Sequence, residues 1–154
     1  MIGRREFSVA GVTAIAAAAV SRATAFAEDR SSSKGGDAHH GAFRRCAEAC
    51  GDCQQECDAC ASHCVDKLAN GQKGHLQTLQ TCLDCAAFCA AAARIVSRQG
   101  PFSDLICENC AEACSRCAKA CERHPDDAMM KRCAEECRKC EKACREMLAH
   151  AKQS

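Results

Sequence analysis

The chain has 154 residues, no tryptophan, no tyrosine, five phenylalanines and two prolines. An ordinary aromatic core is therefore excluded. The formal net charge is +1. So small an imbalance gives no reason to expect nucleic acid or an anionic membrane as a partner. No segment reads as long and apolar enough for a permanent transmembrane helix. No hydroxyl or thiol nucleophile stands beside a general base and an orienting group, so no enzyme activity is expected. What the chain has instead is cysteine, 18 residues of it, a level that by itself suggests either a disulfide scaffold or a metal protein.

The cysteines keep a strict beat of three- and four-residue steps. The first run is Cys46, Cys50, Cys53, Cys57, Cys60 and Cys64; the second is Cys82, Cys85 and Cys89. The third is Cys107, Cys110, Cys114, Cys117 and Cys121; the fourth is Cys133, Cys137, Cys140 and Cys144. A 3-4 alternation is the seam of a helix facing other helices. Polar residues such as Glu48, Glu112, Arg116, Glu135 and Lys139 fall between the sulfurs, off the seam. Each segment is thus amphipathic, with cysteine as its apolar stripe. The expected fold is all-α: an antiparallel, up-down four-helix bundle with a cysteine-lined core.

Boundaries follow from local signals. Asp37 is a candidate N-cap for a first helix ending at Asn70-Gly71, where glycine suits the position after the last turn. A second helix is expected from about His75 to Arg98, stopped by Gly100-Pro101. Ser103 is a candidate cap for a third helix reaching His124. Pro125 fits the first turn of a fourth, with Asp126 and Asp127 at its positive end, continuing to about Lys152. The bundle domain would span 38–152.

Ahead of it, residues 28–37 read as a flexible linker. Residues 1–27 read as a twin-arginine (Tat) signal peptide. Arg4-Arg5 precedes an alanine-rich apolar stretch from Val9 to Val20, and Ala25-Phe26-Ala27 forms a small-x-small cleavage site. The expected location is periplasmic, after export in the folded state.

Disulfides along one helix are excluded by distance. Neighbouring seam residues have Cβ atoms about 5–6 Å apart, and a disulfide needs roughly 3.5–4.5 Å. Packing alone does not explain the choice of the most reactive side chain at every layer. Metal remains, and charge decides which. Thiolates favour Cu(I), zinc or iron–sulfur clusters. Isolated charge is costly in a core, and one Cu(I) per thiolate leaves the core neutral. Bridging thiolates would then hold on the order of 18 ions. A Cys₄ zinc site would leave two negative charges. Iron–sulfur ligands come in compact groups of four, often ending in Cys-Pro, a pair that is absent from this chain.

Past the last sulfurs the beat continues. Upstream of Cys82 it passes Thr78 and reaches His75; downstream of Cys121 it reaches His124; upstream of Cys133 it reaches Met130, beside Met129. In an up-down bundle these four share one end. Imidazole and thioether are copper-compatible, so this end is where metal is expected to enter. The other end would be an apolar plug of Phe43, Val96, Met147 and either Leu105 or Phe102. His63 lies off the seam and is expected in solvent, while His39, His40 and His150 belong to the plugged end or to the termini.

These runs, with the scarcity of aromatics and the His/Met opening, make the chain resemble the Csp copper storage proteins over roughly residues 38–152. The resemblance implies a Cu(I) store with copper entering at one end, and a homotetramer. Two other readings stay open: a copper-delivery protein supplying a cuproenzyme, and a zinc-buffering, metallothionein-like protein.

Overall fold

The computed structural model describes residues 34–151, with side chains from His40 onward. The signal-peptide reading of 1–27 lies outside the described residues. Four helices follow in order: α1 (Lys34–Ala69), α2 (Leu76–Ser97), α3 (Ser103–Cys121) and α4 (Ala128–Ala151). One 3-10 turn, Lys73–His75, leads into α2. With a rise of about 1.5 Å per residue, α1 is roughly 54 Å long.

The sulfurs report the topology. Cys46, Cys50, Cys53 and Cys57 of α1 meet Cys107, Cys110, Cys114 and Cys117 of α3 at separations of 61, 60, 61 and 60 residues. A constant offset means that α1 and α3 run parallel. Against α4, the same four cysteines meet Cys144, Cys140, Cys137 and Cys133 at separations falling from 98 to 76. A falling offset means that α1 and α4 are antiparallel. Helices α1 and α2, α2 and α3, α3 and α4, and α4 and α1 pack as neighbours. This is the up-down-up-down bundle that short connections favour.

The helix ends depart from the sequence reading in four places. First, α1 begins at Lys34, so Asp37 lies inside the helix and residues 34–37 are not linker. Second, Ser103 does not cap α3 from outside. It is the first helical residue, buried, and its Oγ donates back to the Gly100 carbonyl at 2.7 Å. Third, α3 stops at Cys121, because the His124 N–H turns back to the Cys121 carbonyl at 2.9 Å. Fourth, Pro125 lies before α4. Asp127 caps that helix, its Oδ1 accepting from the N–H groups of Met129 (3.0 Å) and Met130 (3.3 Å), the standard duty of an N-cap carboxylate.

The α1 terminus matches expectation. Gly71 takes φ +82°, while Gln72 N–H bonds Lys67 O and Gly71 N–H bonds Leu68 O at 3.0 and 2.9 Å. This is a Schellman closure, which needs a left-handed residue where Gly71 stands. The α2 terminus is built the same way, with Gln99 at φ 50° in the left-handed position and Gly100 one residue later.

One composition reading is overturned. The segment Lys73–Ser97 is long and apolar enough to cross a membrane. Its seam residues Cys82, Cys85 and Cys89 are buried in the bundle core, which makes it a core helix whose alanines and cysteines raise its hydropathy. Its outer side nevertheless leaves Leu76, Leu83 and Phe88 exposed.

Candidate metal centre

All eighteen cysteines are buried, with at most 1% exposure, and all are free thiols. Sixteen of their sulfurs, all but Cys60 and Cys64, form one connected network in which neighbours lie 3.5–4.0 Å apart. Two ligands held about 2.3 Å from one ion can be at most ~4.6 Å apart, so adjacent sulfurs are placed to share ions without moving the helices.

Groups of four sulfurs fall within 4.8 Å of one another from the layer of Cys60 to the layer of Cys50. From the end that carries His75, His124 and Met130 (the mouth) inward these include Cys60, Cys82, Cys121 and Cys133; Cys57, Cys117, Cys133 and Cys137; Cys53, Cys57, Cys85 and Cys137; Cys53, Cys85, Cys89 and Cys114; and Cys50, Cys110, Cys140 and Cys144. The groups overlap. Cys133, Cys57, Cys137, Cys53 and Cys85 each belong to two of them. Separate tetrahedral sites cannot all be filled from shared sulfurs, whereas bridged ions can. At the plugged end Cys46 lies 3.6 Å from Cys107 and 3.7 Å from Cys144.

The stripe has no internal counter-charge. Among the described residues the buried polar side chains are His75, Thr78, Ser103 and Ser115, with no lysine or arginine. Burial therefore opposes the thiolate form at every cysteine. Hydrogen bonding with neighbouring thiols lowers seven of the group: Cys46, Cys53, Cys85, Cys110, Cys121, Cys133 and Cys140. Burial is the main influence on Cys64, where it pushes the thiol up to about 11.

The mouth is assembled from three helix ends. His75, which is buried, and His124 stack face to face, with ring centroids 4.2 Å apart and planes 18° apart. His75 Nδ1 lies 3.2 Å from the Gln72 carbonyl, and His124 Nε2 lies 3.2 Å from Thr78 Oγ1. Burial, then the neighbouring His75, holds His124 below the usual histidine range, which favours the neutral, ligating form. A cleft of about 360 Å³ opens over the pair, with Lys67, Arg123, Asp126 and Asp127 on its walls. Met130 is fully buried and receives the Cys60 thiol on its Sδ at 3.5 Å, so its thioether touches the first sulfur group. Met129 behaves differently: its Sδ lies 3.1 Å from Arg132 Nη2, which takes it to the rim.

Two residues the sequence reading undervalued complete this end. Thr78 is fully buried on the seam. Asp127 carries a network as well as a cap: its Oδ2 accepts from His63 Nε2 at 2.8 Å and from Lys67 Nζ at 2.9 Å. Those bonds hold its carboxyl well below the usual range, against the opposing effect of burial. His63 is thus not a solvated bystander; it ties α1 to the start of α4. At the far end Phe43, Val96 and Met147 are buried as expected, while His40 meets Gln99 at 2.6 Å. Leu105 and Phe102, by contrast, are exposed. The beat four residues before Cys107 falls on Ser103, and Ile106 supplies the apolar contact from α3.

Known proteins resemble this chain in sequence and fold. The copper storage protein family, Csp, matches residues 38–149. A cysteine-rich protein of Bacillus subtilis, YhjQ, is 33% identical over 83 residues, covering 53% of this chain and 74% of that protein. A cytosolic copper storage protein from Streptomyces lividans, solved with five coppers, is 36% identical. That match has a TM-score of 0.66 and covers 74% of this chain and 98% of that one. The Cu(I)-bound copper storage protein BsCsp3 is 32% identical, with a TM-score of 0.63, over 67% of this chain and 94% of that one. With the match extending over the cysteine-lined bundle, this chain belongs to the Csp copper storage protein family.

Proposed function

We propose that this protein stores Cu(I) at about one ion per cysteine on the core sulfurs, an estimate from bridging thiolate chemistry. The observation that carries the proposal is the combination of eighteen buried free thiols, sixteen of them in one network of adjacent sulfurs, with no buried cationic side chain among the described residues. Thiolates in that core need one positive charge each, and a monovalent soft cation supplies it. Copper bound to the S. lividans relative and to BsCsp3 supports the same reading. Delivery to a cuproenzyme and zinc buffering gain no comparable support. A titration of reduced protein with Cu(I) under anaerobic conditions, against a competing chelator, tests the proposal. Saturation near one copper per cysteine is expected, and saturation at about four ions or fewer, the capacity of separate Cys₄ sites, would refute it.

Copper enters, on this reading, at the end where His75, His124 and Met130 lie, with Met129 at the rim. Alanine at His75 and His124 together should slow filling while leaving the final capacity unchanged. The chain is further proposed to be exported by the twin-arginine route, on the strength of Arg4-Arg5, the alanine-rich stretch and Ala25-Phe26-Ala27. Lysine at both arginines should retain the precursor in the cytoplasm; an unchanged distribution would refute export by this route. A homotetramer is also proposed, supported by the exposed apolar residues of α2.

A further inference from the structure

Thr78 occupies the beat position between His75 and Cys82, with a hydroxyl where the following α2 beat positions Cys82, Cys85 and Cys89 carry sulfur. Its hydroxyl is fully buried and has two neighbours: the Ala120 carbonyl at 3.4 Å and His124 Nε2 at 3.2 Å. A hydroxyl has one proton to give. Ala120 lies in the last turn of α3, where carbonyls outnumber the helix's own donors. The N–H four residues on, that of His124, is already committed to the Cys121 carbonyl. A carbonyl can only accept, so the Thr78 proton goes to Ala120. The Thr78 oxygen then accepts from His124, which must carry its proton on Nε2. In a neutral imidazole this leaves the lone pair on Nδ1. His75 is fixed the opposite way. Its Nδ1 faces the Gln72 carbonyl at 3.2 Å, so Nδ1 is the donor and Nε2 holds the lone pair.

We infer that Thr78 is a positioning residue for copper capture, locking His124 as the Nε2–H tautomer so that copper is met by Nδ1 of His124 and Nε2 of His75. This rests on the reading that ions enter at this end. The stacking adds an order of events. A ring nitrogen's lone pair lies in the plane of its ring, and these planes are 18° apart with centroids 4.2 Å apart. The two lone pairs therefore run in separate, nearly parallel sheets. An ion about 2.0 Å from one nitrogen is out of line with the other. Copper is taken by one imidazole first, and a ring must turn before both can hold it. For His124 that turn breaks the bond to Thr78.

The test uses three forms of the reduced, copper-free protein: wild type, Thr78→Val, which keeps the shape and removes the hydroxyl, and Thr78→Ser, which restores it. Long-range proton–nitrogen spectra read the tautomers directly. Wild type and Thr78→Ser should show His124 protonated on Nε2 and His75 on Nδ1, and Thr78→Val should mix the two forms at His124 only. Stopped-flow transfer of Cu(I) from a chromophoric chelator should then slow about tenfold in Thr78→Val, the low end of losing an outer-shell partner, and recover in Thr78→Ser with capacity unchanged. His124 protonated on Nδ1 in the wild type would overturn the inference, as would a Thr78→Val variant with unaltered tautomer and rate. The reading that copper enters here fails separately. If alanine at His75 and His124 left the filling rate untouched, that reading would fall together with the kinetic half of this proposal, whereas the tautomers are read without copper.

Discussion

Filling the core with Cu(I) should release protons in a fixed ratio to the metal. The eighteen thiols are at most 1% exposed, and no buried cation among the described residues stabilises a thiolate. A cysteine in water loses its proton near pH 8.5, and burial moves that value upward, to about 11 at Cys64. Apart from the seven sulfurs that hydrogen bonding lowers, the empty core at pH 7 is therefore a core of S–H groups. Each Cu(I) that binds replaces one proton, giving about eighteen protons per chain at saturation and a slope of one per ion. Seven sulfurs are lowered by hydrogen bonding with neighbouring thiols. Even if all seven were already ionised, 18 − 7 leaves about eleven protons to release, which sets the floor. Zinc in separate Cys₄ sites would give about four protons per ion and at most roughly sixteen per chain. The assay is a pH-stat titration of reduced, unbuffered protein under anaerobic conditions, with Cu(I) supplied in acetonitrile. Because one proton is exchanged per ion, apparent affinity should rise tenfold per pH unit, about 1.4 kcal/mol. Fewer than about eleven protons per chain at full loading, or a slope near four per ion, would refute the charge argument on which Cu(I) was selected.

Four further outcomes follow from the geometry. The Cys64 thiol has a higher pKa folded than unfolded, so the copper-free protein should lose stability as pH rises from about 9 to about 11; denaturant midpoints across that window check it, and a midpoint that rises would contradict it. Thr78→Cys puts a sulfur on a vacant beat position next to Cys82 and should raise copper capacity by about one ion, measurable by metal analysis of the saturated protein. Asp127→Ala removes the α4 cap and the His63 and Lys67 partners; a cost of ~1 kcal/mol, or roughly 4 °C in Tm, should appear in calorimetry of the copper-free form. Glutamate at both Leu83 and Phe88, which are 51% and 41% exposed, should shift the proposed tetramer toward monomer by light scattering while the copper capacity per chain stays the same.

The helical seams were legible because one residue type marks every layer. Once Cys46 to Cys64 alternate by three and four, the face, its direction and its continuation to His75, His124 and Met130 all follow. The helix ends were less legible, since each depends on a bond that competes with another candidate. Ser103 could cap from outside, but its hydroxyl closes the turn onto Gly100 instead. Asp126, Asp127 and Pro125 all suit a helix start, and only the bonds from Met129 and Met130 select Asp127. His63 was misjudged for a different reason. Its partner is 64 residues away, so nothing near it in the chain signals that Asp127 will reach it. Leu105 and Phe102 look like plug residues by composition, yet both sit off the beat that Ser103 keeps.

A seam lined with cysteine resolves a conflict that most metal sites face. A site made of charged or strongly polar ligands is costly to bury while empty, and many small metal domains unfold without their ion. A thiol is a small apolar group when protonated, and the S–H network here satisfies itself across 3.5–4.0 Å contacts. The same atoms become anionic ligands only when a cation arrives to take the proton's place, so the core stays near neutral at every stage of filling. Overlap among the four-sulfur groups extends the argument. Cys53, Cys57, Cys85, Cys133 and Cys137 each serve two groups, so an ion bound in one group leaves a bridging sulfur already in place for the next. Growth by shared sulfurs needs no new cavity and no rearrangement of the backbone, only, on the proposed route, the inward passage of ions from the end where Met130 touches Cys60.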